Sequence, residues 1–236
     1  MINKYSHLEP DVIFFGGTFD PPHLGHADCI DIVKAEFPAS KIIVLPSFAP
    51  PVSSTSLKSP SAPFLDRLAM SVVAFDDREN VEVSSAEEEL ETPSYTVNTL
   101  EYFKSVYPSS RLFWLLGADQ LQSFPSWKEP QKILEKAGLI VLPRPNVSQV
   151  DIMMQASQVA STLGFKHSTD QSHGVVLIDG AQPIFVIDKA PRNVASRDLR
   201  LRLRRHDMLA LAEVSPAVAD YIKDIGIYQS SEGIDE

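Results

Sequence analysis

Cysteine occurs once in this chain, at Cys29. A single thiol forms no internal disulfide, which fits a reducing compartment. No apolar run approaches the roughly 20 residues that span a bilayer. The opening residues MINKYSHLEPD carry charge and a proline, with no apolar signal-peptide core. Positive charge is also scarce: 21 Lys and Arg face 31 Asp and Glu, a formal net charge of −10. So acidic a chain has no general attraction to nucleic acid or an anionic membrane. Any anionic ligand must therefore be held by a local cluster of positive groups. Two common phosphate loops are missing as well, since neither a Walker GK[ST] nor a GxGxxG turn is present. The expectation is a soluble cytoplasmic protein with no nucleic-acid or membrane partner. Self-association into a homo-oligomer is left open.

The 236 residues, 44% of them apolar, suffice to bury a substantial core. Nearly continuous apolar runs occur at 12–15, 41–46, 111–117 and 137–143, with two more at 175–178 and 184–187. Continuous runs suit strands buried on both faces. Helical spacing lies between them, at 24–36, 63–75, 96–106 and 130–137, and again at 216–225 with Pro216 in the first turn. This alternation predicts an α/β fold with a parallel sheet and helical crossovers. Residues 47–63, SFAPPVSSTSLKSPSAP, read as a long loop, and a loop of that length is as readily a binding loop as a connector. Residues 146–174 are polar with one helix at 148–163, an insertion or a small excursion from the main sheet. The tail SSEGIDE reads as disordered.

The most informative stretch is FFGGTFDPPHLGH, residues 14–26. A buried strand runs into Gly16-Gly17, where the backbone can bend tightly and approach a ligand closely. A helix starts near Leu24, and free N–H groups at a helix start favour anions. His23 and His26 are three apart and share a face of the first turn. A histidine pair can also bind metal, but no third ligand is evident among His7, His167, His173 and His206, which argues against zinc. Cys29 lies close to this stretch. A nucleophile there is less favoured than a small buried helix residue.

GGTFDPPHLGH resembles the GGTFDPxHxGH signature of bacterial nicotinate-nucleotide adenylyltransferases, members of the HxGH nucleotidyltransferase superfamily. Further segments are similar in the same order: PSYTVNTLEYF (93–103), GADQLQSFPSWKE (117–129), IVLPRPN (140–146) and YIKDIGIY (221–228). The resemblance covers nearly the whole chain and is weakest over 147–174. It implies a Rossmann-like parallel sheet with helices on both faces and one nucleotidyltransferase domain over 1–236. That domain comprises an α/β core at 10–190, a small C-terminal helical part at 191–228 and the tail at 229–236.

The implied reaction joins ATP and nicotinate mononucleotide, giving the dinucleotide and pyrophosphate, with Mg²⁺ accompanying ATP. The resemblance casts His23 and His26 as the catalytic pair on the ATP phosphates. It places Gly16, Gly17 and Thr18 along the nucleotide phosphates and Asp119 at the adenosine ribose. Trp127 would lie against the nicotinate ring, with the Thr96 hydroxyl and the Lys128 backbone N–H on its carboxylate. Trp114 and Tyr95 are assigned to packing. The run NVASRDLRLRLRR (193–205) alternates like a strand but places Arg197, Arg200 and Arg204 on one helical face. Its similarity to ISSTxIR favours a helix that brings Ser196 and Arg200 to ATP.

Three departures stand out. Ala195 and Arg197 replace two small hydroxyl residues, Asn146 replaces a glycine, and Pro50-Pro51 is followed by Val52 and Ser53 where the family has a histidine and a basic residue. Lys58 is the nearest substitute cation, and Arg67 matches a family arginine without a clear role. Two alternatives stay open: the same transfer to nicotinamide mononucleotide, and a nucleotide-binding sensor without turnover.

Overall fold

The computed structural model describes residues 3–51, 60–75, 77–145 and 147–228. Val52, Ser53, Lys58, Asn146 and the tail 229–236 lie outside these residues. Eight strands form one sheet: β1 (Val12–Gly17), β2 (Lys41–Pro46), β3 (Val81–Val83), β4 (Leu112–Gly117), β5 (Ala137–Leu142), β6 (His167–Asp170), β7 (Val175–Ile178) and β8 (Ile184–Val186). Their spatial order is β3-β2-β1-β4-β5-β8-β7-β6. The strands from β3 through β8 pair in parallel. The helices are α1 (Leu24–Glu36), α2 (Phe64–Phe75), α3 (Thr96–Val106), α4 (Ala118–Ser123), α5 (Pro130–Lys136), α6 (Gln149–Thr162), α7 (Ser196–Arg204) and α8 (Pro216–Ile225).

Side chains alternate across the sheet and sort into two cores. Val12, Phe14 and Trp114 face one side, packing with Leu100 and Phe103 of α3 and Ile133 of α5. Ile13, Phe15 and Phe113 face the other, against Ile30 and Val33 of α1 and Phe75 of α2. A third cluster joins Met70 of α2 to Leu199, Leu203, Val218 and Ile222 of the C-terminal helices. This is the α/β architecture with a small helical C-terminal part read from the sequence.

Residues 147–174, read as an excursion, contain α6, whose Ile152, Met153, Ala156 and Ala160 are buried in the first core. The same stretch supplies β6. Strands β6 and β7 pair antiparallel with their neighbours, unlike the rest of the sheet. The reason is loop length. Only residues 179–183 join β7 to β8, and a parallel crossover needs about a dozen or more. At the far edge, Lys4 Nζ and Tyr5 Oη donate to Asp170 at 2.8 and 2.9 Å, tying the segment Asn3–Leu8 to β6. Among the described residues, no helix is long and apolar enough to cross a membrane.

The two glycines that close β1 are required by packing. A Cβ on Gly16 would lie 2.3 Å from Trp114 Cζ2, and one on Gly17 would lie 3.1 Å from the Phe19 ring. Trp114 is only 4% exposed, so it cannot swing aside. Gly16→Ala should therefore destabilise the fold by about 1–3 kcal/mol, the usual cost of overpacking. Urea denaturation should show a lower midpoint, with partial recovery when Trp114→Phe is added.

Candidate active site

Strand β1 sits between β2 and β4, where the sheet order reverses. Open α/β sheets leave a crevice beyond the strand ends at such a point. Here it is a cleft of about 880 Å³ whose walls include Gly16, Gly17, Thr18, His23, His26, Asp119, Ser196 and Arg200. All the residues nominated for catalysis and for ATP thus line one space. Thr96, Trp127 and Lys128 are not among its walls.

The turn between β1 and α1 sets the imidazoles. His23 is the N-cap of α1, and His26 is the third helical residue. The His26 N–H donates to His23 Nδ1 at 3.3 Å, and the His23 N–H donates to His26 Nδ1 at 3.1 Å. This reciprocal capping box satisfies the His23 N–H and shares the His26 N–H, which also donates to His23 O at 2.8 Å. It also fixes the tautomers, because an Nδ1 that accepts must leave its proton on Nε2. The rings stack with centroids 3.6 Å apart at 15°. Phe19 packs edge-on to His26 at 4.9 Å, and Phe15 at 6.0 Å. To reach this place Phe19 takes a φ of 48°, a left-handed conformation that costs a non-glycine residue about 1–2 kcal/mol. Burial, with the charge of Arg144 behind it, pushes His23 down to about 4. Burial, His23 and Arg144 hold His26 well below the ordinary imidazole range. Both rings are therefore neutral Nε2–H donors near pH 7.

Cations gather around this pair despite the chain's acidity. Arg144, after β5, makes a two-pronged ion pair with Asp119, Nε to Oδ1 at 2.9 Å and Nη2 to Oδ2 at 3.1 Å. Arg192 pairs with Asp28 in the same way, at 2.7 and 2.9 Å. Arg200 lies 3.4 Å from the buried Asp20 carboxylate and also donates to its backbone carbonyl. Arg197, the substitute for a hydroxyl residue, is exposed along the cleft. Ala195 is the N-cap of α7, and the Ser196 hydroxyl donates to Pro21 O at 2.9 Å. That hydroxyl proton is thus already committed, and the hydroxyl is not the cap of α7. The start of α7 borders the cleft at Ala195, Ser196 and Arg197, as the start of α1 does at His23, Gly25 and His26. Cys29 borders the cleft half-buried, and burial pushes its thiol up to about 12, which disarms it as a nucleophile.

Sequence reading missed Arg144, Arg192, Asp20 and Tyr228. Arg144 had a usable signal, an arginine directly after a buried parallel strand. Arg67, left without a role, is 1% exposed and donates to Ala62 O, Thr18 O and Ser47 O at 3.2, 2.7 and 2.8 Å. It clasps both described ends of the Ser/Pro loop to the turn after β1. On the other side, Thr96 opens α3 and Trp127 packs 5.2 Å from Phe124 against the first core. Lys128 Nζ sits 5.0 Å from the Tyr95 ring centre, so these three residues belong to neighbouring segments.

The family model described as cytidylyltransferase-like matches residues 14–200. A Shewanella baltica (strain OS195) protein named "Probable nicotinate-nucleotide adenylyltransferase" is 30% identical over 214 residues, covering 90% of this chain and 96% of the relative. The chain belongs to the nicotinate-nucleotide adenylyltransferase family. A second member, from Albidiferax ferrireducens, is 33% identical over 218 residues, covering 92% of this chain and 97% of its own. Among solved structures, the Plasmodium falciparum nicotinic acid mononucleotide adenylyltransferase complexed with NaAD shares the fold. Its TM-score is 0.68 at 17% identity, over 93% of this chain and 98% of that one.

The imidazoles make a pH prediction. His23 takes up its proton near pH 6.5 when unfolded and only near pH 4 when folded, so the unfolded state binds more protons between these values. Stability must then fall as pH drops through that window and be unaffected above it. His23→Asn should remove about 2 kcal/mol of the loss between pH 7 and 4.5. Urea titrations of both proteins across that range check it.

Proposed function

We infer that this chain transfers the adenylyl group of ATP to nicotinate mononucleotide, releasing pyrophosphate and forming nicotinate adenine dinucleotide, a step of NAD biosynthesis. The observation that carries the reading is the stacked, neutral imidazole pair at the start of α1, set in an arginine-rimmed cleft at the sheet's switch point. A phosphate oxygen of the mononucleotide attacks the α-phosphorus of ATP. The bond from that phosphorus to the bridging oxygen breaks, and pyrophosphate leaves with the electron pair. No protein nucleophile is required, and positioning and charge stabilisation carry the rate.

In this reading His23 and His26 donate from Nε2 to oxygens that gain charge as the transition state forms. Neutral donors in a partly dry site need no proton rearrangement as the reaction proceeds. Gly16, Gly17 and Thr18 border the phosphates, and Arg200 with the first N–H groups of α7 neutralises the leaving pyrophosphate. Ser196 contributes its backbone N–H. Asp119, steadied by Arg144, keeps lone pairs for the adenosine ribose hydroxyls. Mg²⁺ enters as part of the ATP substrate, held by phosphate oxygens and water.

The mononucleotide ring falls to Trp127, whose indole face suits a pyridinium. Thr96 is the first residue of α3, so its hydroxyl and the positive end of the helix suit a carboxylate, with the Lys128 N–H as a second donor. This arrangement favours the acid over the amide.

A pyrophosphate-release assay with MgATP and each mononucleotide tests the reading. Turnover should be higher with the nicotinate form. Replacing His26 by Ala should lower kcat about 10²–10³-fold, as for loss of one preorganised donor. Faster turnover of the nicotinamide form would shift the substrate, and ATP binding with no pyrophosphate would make the protein a sensor.

A further inference from the structure

The aspartate of the GGTFDPP turn borders the cleft yet is only 2% exposed. Its carboxylate is surrounded by donors. Ser61 N–H reaches Oδ2 at 2.7 Å, and Ala62 N–H reaches Oδ1 at 3.1 Å. The Tyr228 phenol donates to Oδ1 at 2.7 Å, from a residue 7% exposed at the end of the described chain. Arg200 Nη1 stands 3.4 Å from Oδ2 and also donates to the Asp20 carbonyl. The Arg200 Nε–H and Nη2–H groups have no partner among the described residues. They are the part of this guanidinium left for a ligand in the cleft.

We propose that Tyr228 is a positioning residue for the nucleotide site, holding the Asp20 carboxylate so that Arg200 stays available to the triphosphate. This rests on the assignment of the cleft to ATP. The argument is one of competition for a buried anion. A buried carboxylate seeks a full set of donors, and losing one strengthens its pull on those that remain. Ser61 and Ala62 offer fixed backbone N–H groups. The nearby Arg67 guanidinium is committed to three carbonyls. Arg200, with a side chain 22% exposed, is the one donor with room to move. Without the phenol, Arg200 is drawn onto Asp20 and out of the cleft. The phenol is a dependable donor, because burial and the Asp20 charge push its ionisation well above the ordinary range.

Tyr228→Phe removes only the hydroxyl. Calorimetric titration with ATP should show about tenfold weaker binding, the worth of one charge-assisted hydrogen bond. Binding of nicotinate mononucleotide should stay within twofold of the parent. Arg200→Gln should weaken ATP binding by itself, and adding Tyr228→Phe to it should change little more, because both act through one guanidinium. Ile222→Val, in the buried face of α8, supplies a control that loosens the C-terminal packing without touching Asp20. Its ATP affinity should match the parent's. Parent-like ATP affinity in Tyr228→Phe, multiplicative effects in the double variant, or an equal loss in Ile222→Val would each overturn the proposal. A parent that binds ATP but releases no pyrophosphate would refute the adenylyl-transfer reading while the binding ratios still judge Tyr228. A parent that binds no ATP would refute both.

Discussion

Two imidazole rings with centroids 3.6 Å apart cannot both be charged, and the rest of the site follows from that constraint. Each ring accepts a backbone N–H at Nδ1, so each presents Nε2–H outward. The same pair starts α1, so the ring edge that caps the helix also fixes which nitrogen keeps its proton. Phe15 and Phe19 pack edge-on to the His26 ring, and the left-handed backbone of Phe19 is the strain accepted to bring its ring there. A histidine pair arranged this way is a preorganised donor rather than a proton shuttle.

The arginines complete the arrangement in a chain whose net charge is −10. Arg144, Arg192 and Arg200 are held by Asp119, Asp28 and Asp20 respectively. Each aspartate orients a guanidinium and balances its charge. The positive potential is thus local and directional, which suits a polyphosphate and gives little general attraction to other polyanions. Asp20 and Arg67 work back to back beneath the turn. The carboxylate gathers the N–H groups of residues 61–62, and the guanidinium gathers carbonyls from residues 18, 47 and 62. The loop ends and the turn after β1 are consequently one buried polar unit.

The major elements were legible because their signals are local. The apolar runs of β1, β2, β4 and β5 and the spacing of α1 and α3 depend on neighbours in sequence, and their boundaries agree closely with the structure. Strand β3 was missed because three residues, VEV, are too short to show a period. Strand β6, HSTD, is polar and exists only because β7 pairs with it. Residues 199–204 alternate Leu and Arg like a strand, yet they form α7, because Leu199 and Leu203 share one helical face against the third core. In the site, the histidines, Asp119 and Arg200 were readable from a motif. The partners that orient them were not. Arg144 lies 25 residues from Asp119, and Tyr228 lies 208 residues from Asp20, so only the fold brings them together.

The two margins of the sheet carry a consequence of their own. An unpaired strand edge is a template on which another chain can add by backbone bonding. Here one margin is β3, three residues long, with Glu82 exposed and ion-paired to Lys41. The other is the short polar β6, with Lys4 and Tyr5 fastened to its last residue. Neither offers a long, flat, greasy ribbon. A sheet of eight strands can therefore stay a solitary sheet in a crowded solution, guarded from edge-on aggregation by its least conspicuous segments.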